Sequence, residues 1–314
     1  MTARQLRVSR QSIVIAAALT GVLSLAIGAH AALKPGVLDA GKAIATENNG
    51  DAVRKTSRIA LVIGNGHYPD ADAPLTQSIN DARDLTASLR SDGFNVDVLE
   101  DASKDGMHSA IDRLKPKIGP DSVVMLFFGG YGVQAGGESY MIPVDAVIWK
   151  ESDVRRDGLS IEAVLDVMKE RGARARLVII DASRRNPYER RFRTFSHGLA
   201  PIDAPDNALI LTSATPGKVA DDSRGRNSVL VAELLNTLKA QAAGAETVFN
   251  KTRVAVSRAS DGEQVPSVSS SLSADVQLVT GADRPTAPEQ QKNNVTPIRK
   301  TQGTGGGLIA TGDG

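Results

Sequence analysis

The reactive side chains of this 314-residue chain are few, and what is missing narrows the chemistry first. There is no cysteine, so a thiolate nucleophile, a thiolate metal site and a disulfide framework are all excluded. Four histidines, His30, His67, His108 and His197, are scattered without metal-ligand spacing, and neither a metal site nor a cofactor is expected. What remains clusters after three apolar runs: Gly64-Asn65-Gly66, Gly129-Gly130-Tyr131-Gly132 and Asp181-Ala182-Ser183. Just beyond Ser183, Arg184, Arg185, Arg190, Arg191 and Arg193 concentrate five guanidinium groups, suited either to an acidic partner or to a wet loop.

The elements that must position these groups alternate between strand and helix. Apolar runs at 59–63, 94–99, 123–128, 177–180 and 208–212 read as strands, with a last one near 275–279. Between them, Ile79, Ala82, Leu85 and Leu89 recur at helical spacing, as do Met107, Ile111 and Leu114, and then Ile161, Val164, Leu165 and Met168. Further helices are expected over 228–238 and around 248–256, and 140–144 resembles a hairpin arm. Strands that are continuously apolar, rather than alternating, belong to a sheet covered on both faces. The predicted class is therefore α/β, a three-layer α/β/α sandwich with about six mostly parallel strands. In such sheets the working residues lie beyond the carboxyl ends of the strands, where the three clusters fall.

At those ends the sequence resembles the caspase-like cysteine peptidases, specifically bacterial metacaspase and paracaspase relatives. The resemblance rests on IALVIGN (59–65), NDARDL (80–85), FFGGYGVQ (127–134), SYMIPVD (139–145), IIDASRRNP (179–187), SATPGKVA (213–220) with GRNS (225–228), and QVPSVSSSL (264–272). These strings follow one another in the family's order, and Tyr131 and Ser183 stand 52 residues apart against the roughly 50 expected between a caspase His and Cys. The family implies a six-stranded, mostly parallel sheet flanked by helices. It also implies that the third-strand motif ends in Gly-His-Gly and the fourth in Asp-Ala-Cys, the His acting as base and the Cys as nucleophile. Here those positions hold Tyr131 and Ser183. A serine hydroxyl needs a base during attack, and a phenol with a pKa of about 10 is protonated at neutral pH. Loss of either member of such a unit removes a factor on the order of 10⁶ in another hydrolase family.

By the same resemblance, Gly132 and Ser183 supply the backbone N–H groups of an oxyanion hole, and Asp81 and Asp181 hold an Arg or Lys side chain of the ligand. Simpler readings stand beside these. The glycines permit a tight turn, Asp81 caps a helix, Asp181 pairs with Arg184 or Arg185, and Asp221 and Asp222 either add to the acidic rim or sit in a solvated loop. Tyr140, Trp149 and Tyr188 are aromatics near the cleft and are read as packing. The expected protein is a caspase-like pseudopeptidase that binds a peptide or protein through a basic residue. Two alternatives remain: an endopeptidase cleaving after Arg or Lys with Ser183, served by His197 or a perturbed Tyr131, and an envelope interaction module acting through the Arg cluster and the tail.

The termini set location and partners. Residues 1–31 join Arg4, Arg7 and Arg10 to an apolar run ending in Ala29-His30-Ala31, a signal peptide or an uncleaved anchor. Export to the periplasm follows, with membrane attachment only if the leader stays. Residues 32–56 read as a linker, 57–281 as the caspase-like domain and 282–314, rich in Pro, Gln, Thr and Gly, as a disordered tail. The net charge is +1, and −2 once the leader is set aside, so no nucleic-acid partner is expected. Nothing in the sequence sets an oligomeric state.

Overall fold

The computed structural model describes residues 57–69, 74–191, 198–220, 225–239 and 243–278. The leader, the linker, the tail, His30, Arg193, His197, Asp221 and Asp222 therefore lie outside the described residues. In chain order the elements are β1 (Arg58–Gly64), α1 (Thr76–Ser91), β2 (Asn95–Glu100), α2 (Lys104–Leu114), β3 (Val123–Gly129), β4 (Gly132–Ala135) and β5 (Glu138–Met141). They continue with α3 (Glu151–Asp157), β6 (Leu159–Ser160), α4 (Ile161–Glu170), β7 (Ala175–Asp181), β8 (Ala208–Thr212), α5 (Val229–Leu238), α6 (Ala245–Ala259) and β9 (Ser267–Ser270).

Six strands form the main sheet in the order β2-β1-β3-β7-β8-β9. All neighbours pair in parallel except β8 and β9. Because successive side chains of a strand point to opposite faces, the largely apolar and almost wholly buried β1, β3 and β7 feed two cores at once. Leu61, Ile63, Leu126, Phe128, Val178 and Ile180 pack with Met107 and Ile111 of α2 and Val164 and Met168 of α4. Val62, Met125, Phe127, Leu177 and Ile179 pack with Leu85 of α1, Leu234 of α5 and Phe249 of α6. This is the expected three-layer sandwich. Short helix starts are fixed locally: the hydroxyls of Ser103, Ser160 and Ser228 accept the backbone N–H groups of Gly106, Ala163 and Val231.

The last predicted strand is misplaced. The sixth strand is β9, and of the expected 275–279 the described residues 275–278 contribute only an isolated bridge between Gly244 and Gln277. Val276 and Leu278 are 3% and 1% exposed because they plug the helix-covered core beside α6, so their apolar alternation reports burial without pairing. The serine-rich β9 is an edge strand with little to bury, and so carries almost no hydrophobic signal. The hairpin arm is a small separate sheet, β4-β5-β6, folded against the end of the main one. Among the described residues no helix is long and apolar enough to cross a membrane.

Candidate active site

Register brings the three clusters together. Gly64 of β1 lies opposite Gly129 of β3, and Gly129 lies opposite Asp181 of β7, so the three carboxyl ends are level and about 5 Å apart. Backbone bonds then stitch the departing loops: Asn65 N–H donates to Gly129 O (2.8 Å), Gly130 N–H to Asp181 O (3.2 Å) and Gly132 N–H to Ala182 O (3.0 Å). Gly132 is glycine for space, since a Cβ there would stand 2.6 Å from Leu199 Cδ2 and 2.9 Å from Ala182 O.

Asn65, fully buried, is a positioning residue that sequence reading treated only as part of a turn. Its amide donates to Ile142 O (3.2 Å) and accepts from Ala102 N–H (2.8 Å), joining the ends of β1 and β2 to the loop after β5. Tyr68 was also missed. Its hydroxyl donates to Ile142 O (2.9 Å) and accepts from Tyr131 N–H (3.1 Å), and its ring meets that of Tyr131 edge-on at 4.8 Å. Burial drives the Tyr68 phenol far above its ordinary pKa, so it stays a neutral hydrogen-bonding strut.

Ser183, the residue expected at the nucleophile position, is 1% exposed, and its Oγ has no hydrogen-bond partner among the described residues. Its N–H donates to Ser213 Oγ at 3.3 Å, and its carbonyl accepts Ala220 N–H at 2.6 Å. Ser213 is held in turn by its own N–H on Ile180 O (2.9 Å) and by Gln264 Nε2 on its carbonyl (2.8 Å). Both N–H groups expected at an oxyanion hole, those of Gly132 and Ser183, are thus engaged by internal acceptors. Of the described histidines, His67 Nδ1 sits 2.6 Å from Asp101 Oδ2, and His108 is exposed on α2. Neither reaches Ser183 Oγ.

The two acids are brought close enough to repel each other. Asp81, fully buried on α1, has its carboxyl pushed up to about 7 by burial and by the charge of Asp181, against hydrogen bonds from Asn227 and Ser228. It does not cap its own helix. Asp81 Oδ1 accepts the N–H of Ser228 (3.1 Å), the residue that caps α5, and so ties α1 to the start of α5. Asp181 is 2% exposed, its Oδ2 has no hydrogen-bond partner, and Arg184 Nη2 lies 3.9 Å from its Oδ1. That distance is an ion pair at its outer limit, and it leaves Asp181 Oδ2 a buried acceptor with no hydrogen bond among the described residues.

The arginine cluster divides. Arg184 is buried, Arg185 and Arg190 are exposed, and Arg191 lies over the Trp149 ring at 4.5 Å. Tyr140 and Tyr188 are buried packing residues, whereas Trp149 is largely exposed. Among the described residues no group of three or more His, Asp or Glu side chains is arranged to hold a metal ion.

A parallel α/β/α sandwich with a Gly-rich turn after its third strand and an Asp-Ala-Ser turn after its fourth defines the class of a peptidase fold. Residues 57–277 match the caspase-domain family, and the chain belongs to it. It is 30% identical over 147 residues to the human mucosa-associated lymphoid tissue lymphoma translocation protein 1, and 31% identical over 147 residues to the mouse homologue. Each match covers 46% of this chain and 17% of the relative, so the chain spans about a sixth of those proteins.

Proposed function

We propose that this caspase-domain protein is exported and binds a peptide or protein through a basic side chain, without hydrolysing it. The observation that carries this reading is Ser183 Oγ: it is buried and touches no base among the described residues; by the resemblance, Tyr131 stands where the family has an imidazole. Acyl transfer by an alcohol requires a nucleophile hydrogen-bonded to a proton acceptor, and the described residues supply no such contact. The buried acids support the binding half. Two carboxyls in a site of low dielectric, one with an open acceptor, favour a guanidinium or ammonium group through charge-assisted hydrogen bonds. The leader pattern at 1–31 supports export.

The test combines turnover with binding. Purified protein is incubated with Arg- and Lys-ended fluorogenic peptides, with and without calcium, beside Ser183→Ala; the expected rates are equal and at background. Fluorescence anisotropy of a labelled Arg-ended peptide is expected to show binding that Asp181→Asn weakens by about tenfold, the loss of one charge-assisted bond. Turnover abolished by Ser183→Ala, or acylation of Ser183 by a fluorophosphonate probe, overturns the inactive reading.

A further inference from the structure

The single tryptophan of the chain sits in the loop between β5 and α3. Trp149 is 66% exposed and Val147 is 55% exposed, while Ile148 between them is fully buried. Ile148 therefore anchors the loop and its two neighbours face outward. Leaving large apolar side chains in water forfeits on the order of 1.5–3 kcal/mol each, a loss that calls for an explanation in a chain with only 4% aromatic residues.

The indole is held in place. Arg191 stacks its guanidinium over the ring at 4.5 Å while its Nη1 donates to Ile148 O at 2.7 Å, so one side chain fixes both the plate and the backbone beneath it. The same guanidinium lies 5.6 Å from the ring of buried Tyr188. Asp153 Oδ2 accepts the N–H groups of Trp149 and Lys150 at 3.1 and 3.2 Å, which pins the loop from the other side. A rigid aromatic with one face backed and the rest open has little conformational entropy left to lose on binding.

Lys150 and Arg190 are exposed, and neither makes an ion pair among the described residues. The acids of the same loop and helix already have partners: Asp145 accepts Lys104 N–H, Glu151 meets Gly136 N–H and Arg155, Asp153 meets Arg156, and Asp157 meets Arg156 and Lys104. We propose that Trp149 and Val147, rimmed by Lys150, Arg190 and Arg191, form a docking point for an acidic polypeptide segment carrying an aromatic or aliphatic anchor. An aromatic and arginine centre with a charged rim is the composition of a binding hot spot. Single-stranded nucleic acid is disfavoured, because stacking successive bases needs successive aromatics and the body of the chain is not basic.

Trp149 reports on its own surface, since its emission is the only indole emission of the protein. The probe is a synthetic peptide of glutamates around one central phenylalanine, compared with the same peptide carrying glutamines. The glutamate peptide is expected to change Trp149 emission and to bind at least about tenfold more tightly than the glutamine peptide, the gap narrowing with salt. By anisotropy of the labelled peptide, Trp149→Ala and Arg190→Gln each weaken binding, Trp149→Phe retains most of it, and Arg253→Gln, an equal charge change on the exposed face of α6, leaves it alone. Far-UV circular dichroism checks that each variant is folded. The proposal is overturned if the glutamate peptide does not bind, if folded Trp149→Ala binds it as the parent does, or if oligothymidylate or anionic phospholipid vesicles bind more tightly at equal salt.

Discussion

Asp81 converts the site's electrostatics into something measurable. Its carboxyl is raised to about 7 in the folded chain, so the native state binds a proton more tightly than the unfolded state between roughly pH 4 and 7. Stability from this residue is therefore full below its unfolded pKa and falls as pH rises toward 7. Asp81→Asn keeps an acceptor for Ser228 N–H while removing the titration; thermal melts from pH 4 to 8 are expected to show a flatter profile, with the variant the more stable at pH 8. A bound cation has the opposite preference. It stabilises the ionised form, so affinity for an Arg-ended peptide is expected to rise as pH increases through 7, and calorimetry in buffers of different ionisation enthalpy should detect proton release. Ser213 is the second point of leverage. Ser213→Ala leaves the buried Ser183 N–H without its acceptor, a cost of about 1–3 kcal/mol by urea denaturation, and part of that loss should be recovered when a ligand carbonyl takes the vacant place.

The hairpin β4-β5 is pressed onto the end of β7, and Gly132 marks the point of closest approach. A methyl group there meets Leu199 Cδ2, which can turn aside, and Ala182 O, which is backbone and cannot. Gly132→Ala is accordingly expected to lower stability by about 1–3 kcal/mol in chemical denaturation, through displacement of the Ala182-Ser183 turn. The helices that fix the site were plain in the sequence. The apolar periods of α1, α2 and α4 survive intact because each lies against one face of a continuous core. Of the small sheet only the arm near 140–144 was legible; its other strands, α3 and β9 were not plain, since strands of two to four residues lack the length for a period to show.

Closure of the whole molecule depends on a contact between distant ends of the described chain. Arg58 at the start of β1 donates to Asp92 O (3.1 Å), Gln277 O (2.7 Å) and Leu278 O (3.0 Å), and its guanidinium lies 5.5 Å from the Phe94 ring. Arg58→Met keeps most of the apolar stem but no donor; cooperative unfolding is expected at lower urea, by about 1–3 kcal/mol. A complementary experiment asks whether the surroundings of the site still suit catalysis. The folded double variant Tyr131→His with Ser183→Cys is expected to cleave detectably after Arg or Lys in a fluorogenic assay, and no cleavage would mean that the binding groups, as well as the reacting pair, have diverged.

Residue types alone determined the absence of a thiol, a phenol and a hydroxyl at the Tyr131 and Ser183 strand ends, and the alternation of strand and helix that makes a doubly covered parallel sheet. Those follow from chemistry and period, which are local. Tertiary structure decided that Ser183 is buried and unpartnered, that Asp81 answers to both α5 and Asp181, and that one arginine of the cluster is interior while another backs an exposed tryptophan. Burial, hydrogen bonding and charge coupling depend on separations through space. For Asp81 and Asp181, a hundred positions apart in the chain, only the parallel register of the sheet and the packing of α1 against it set that separation.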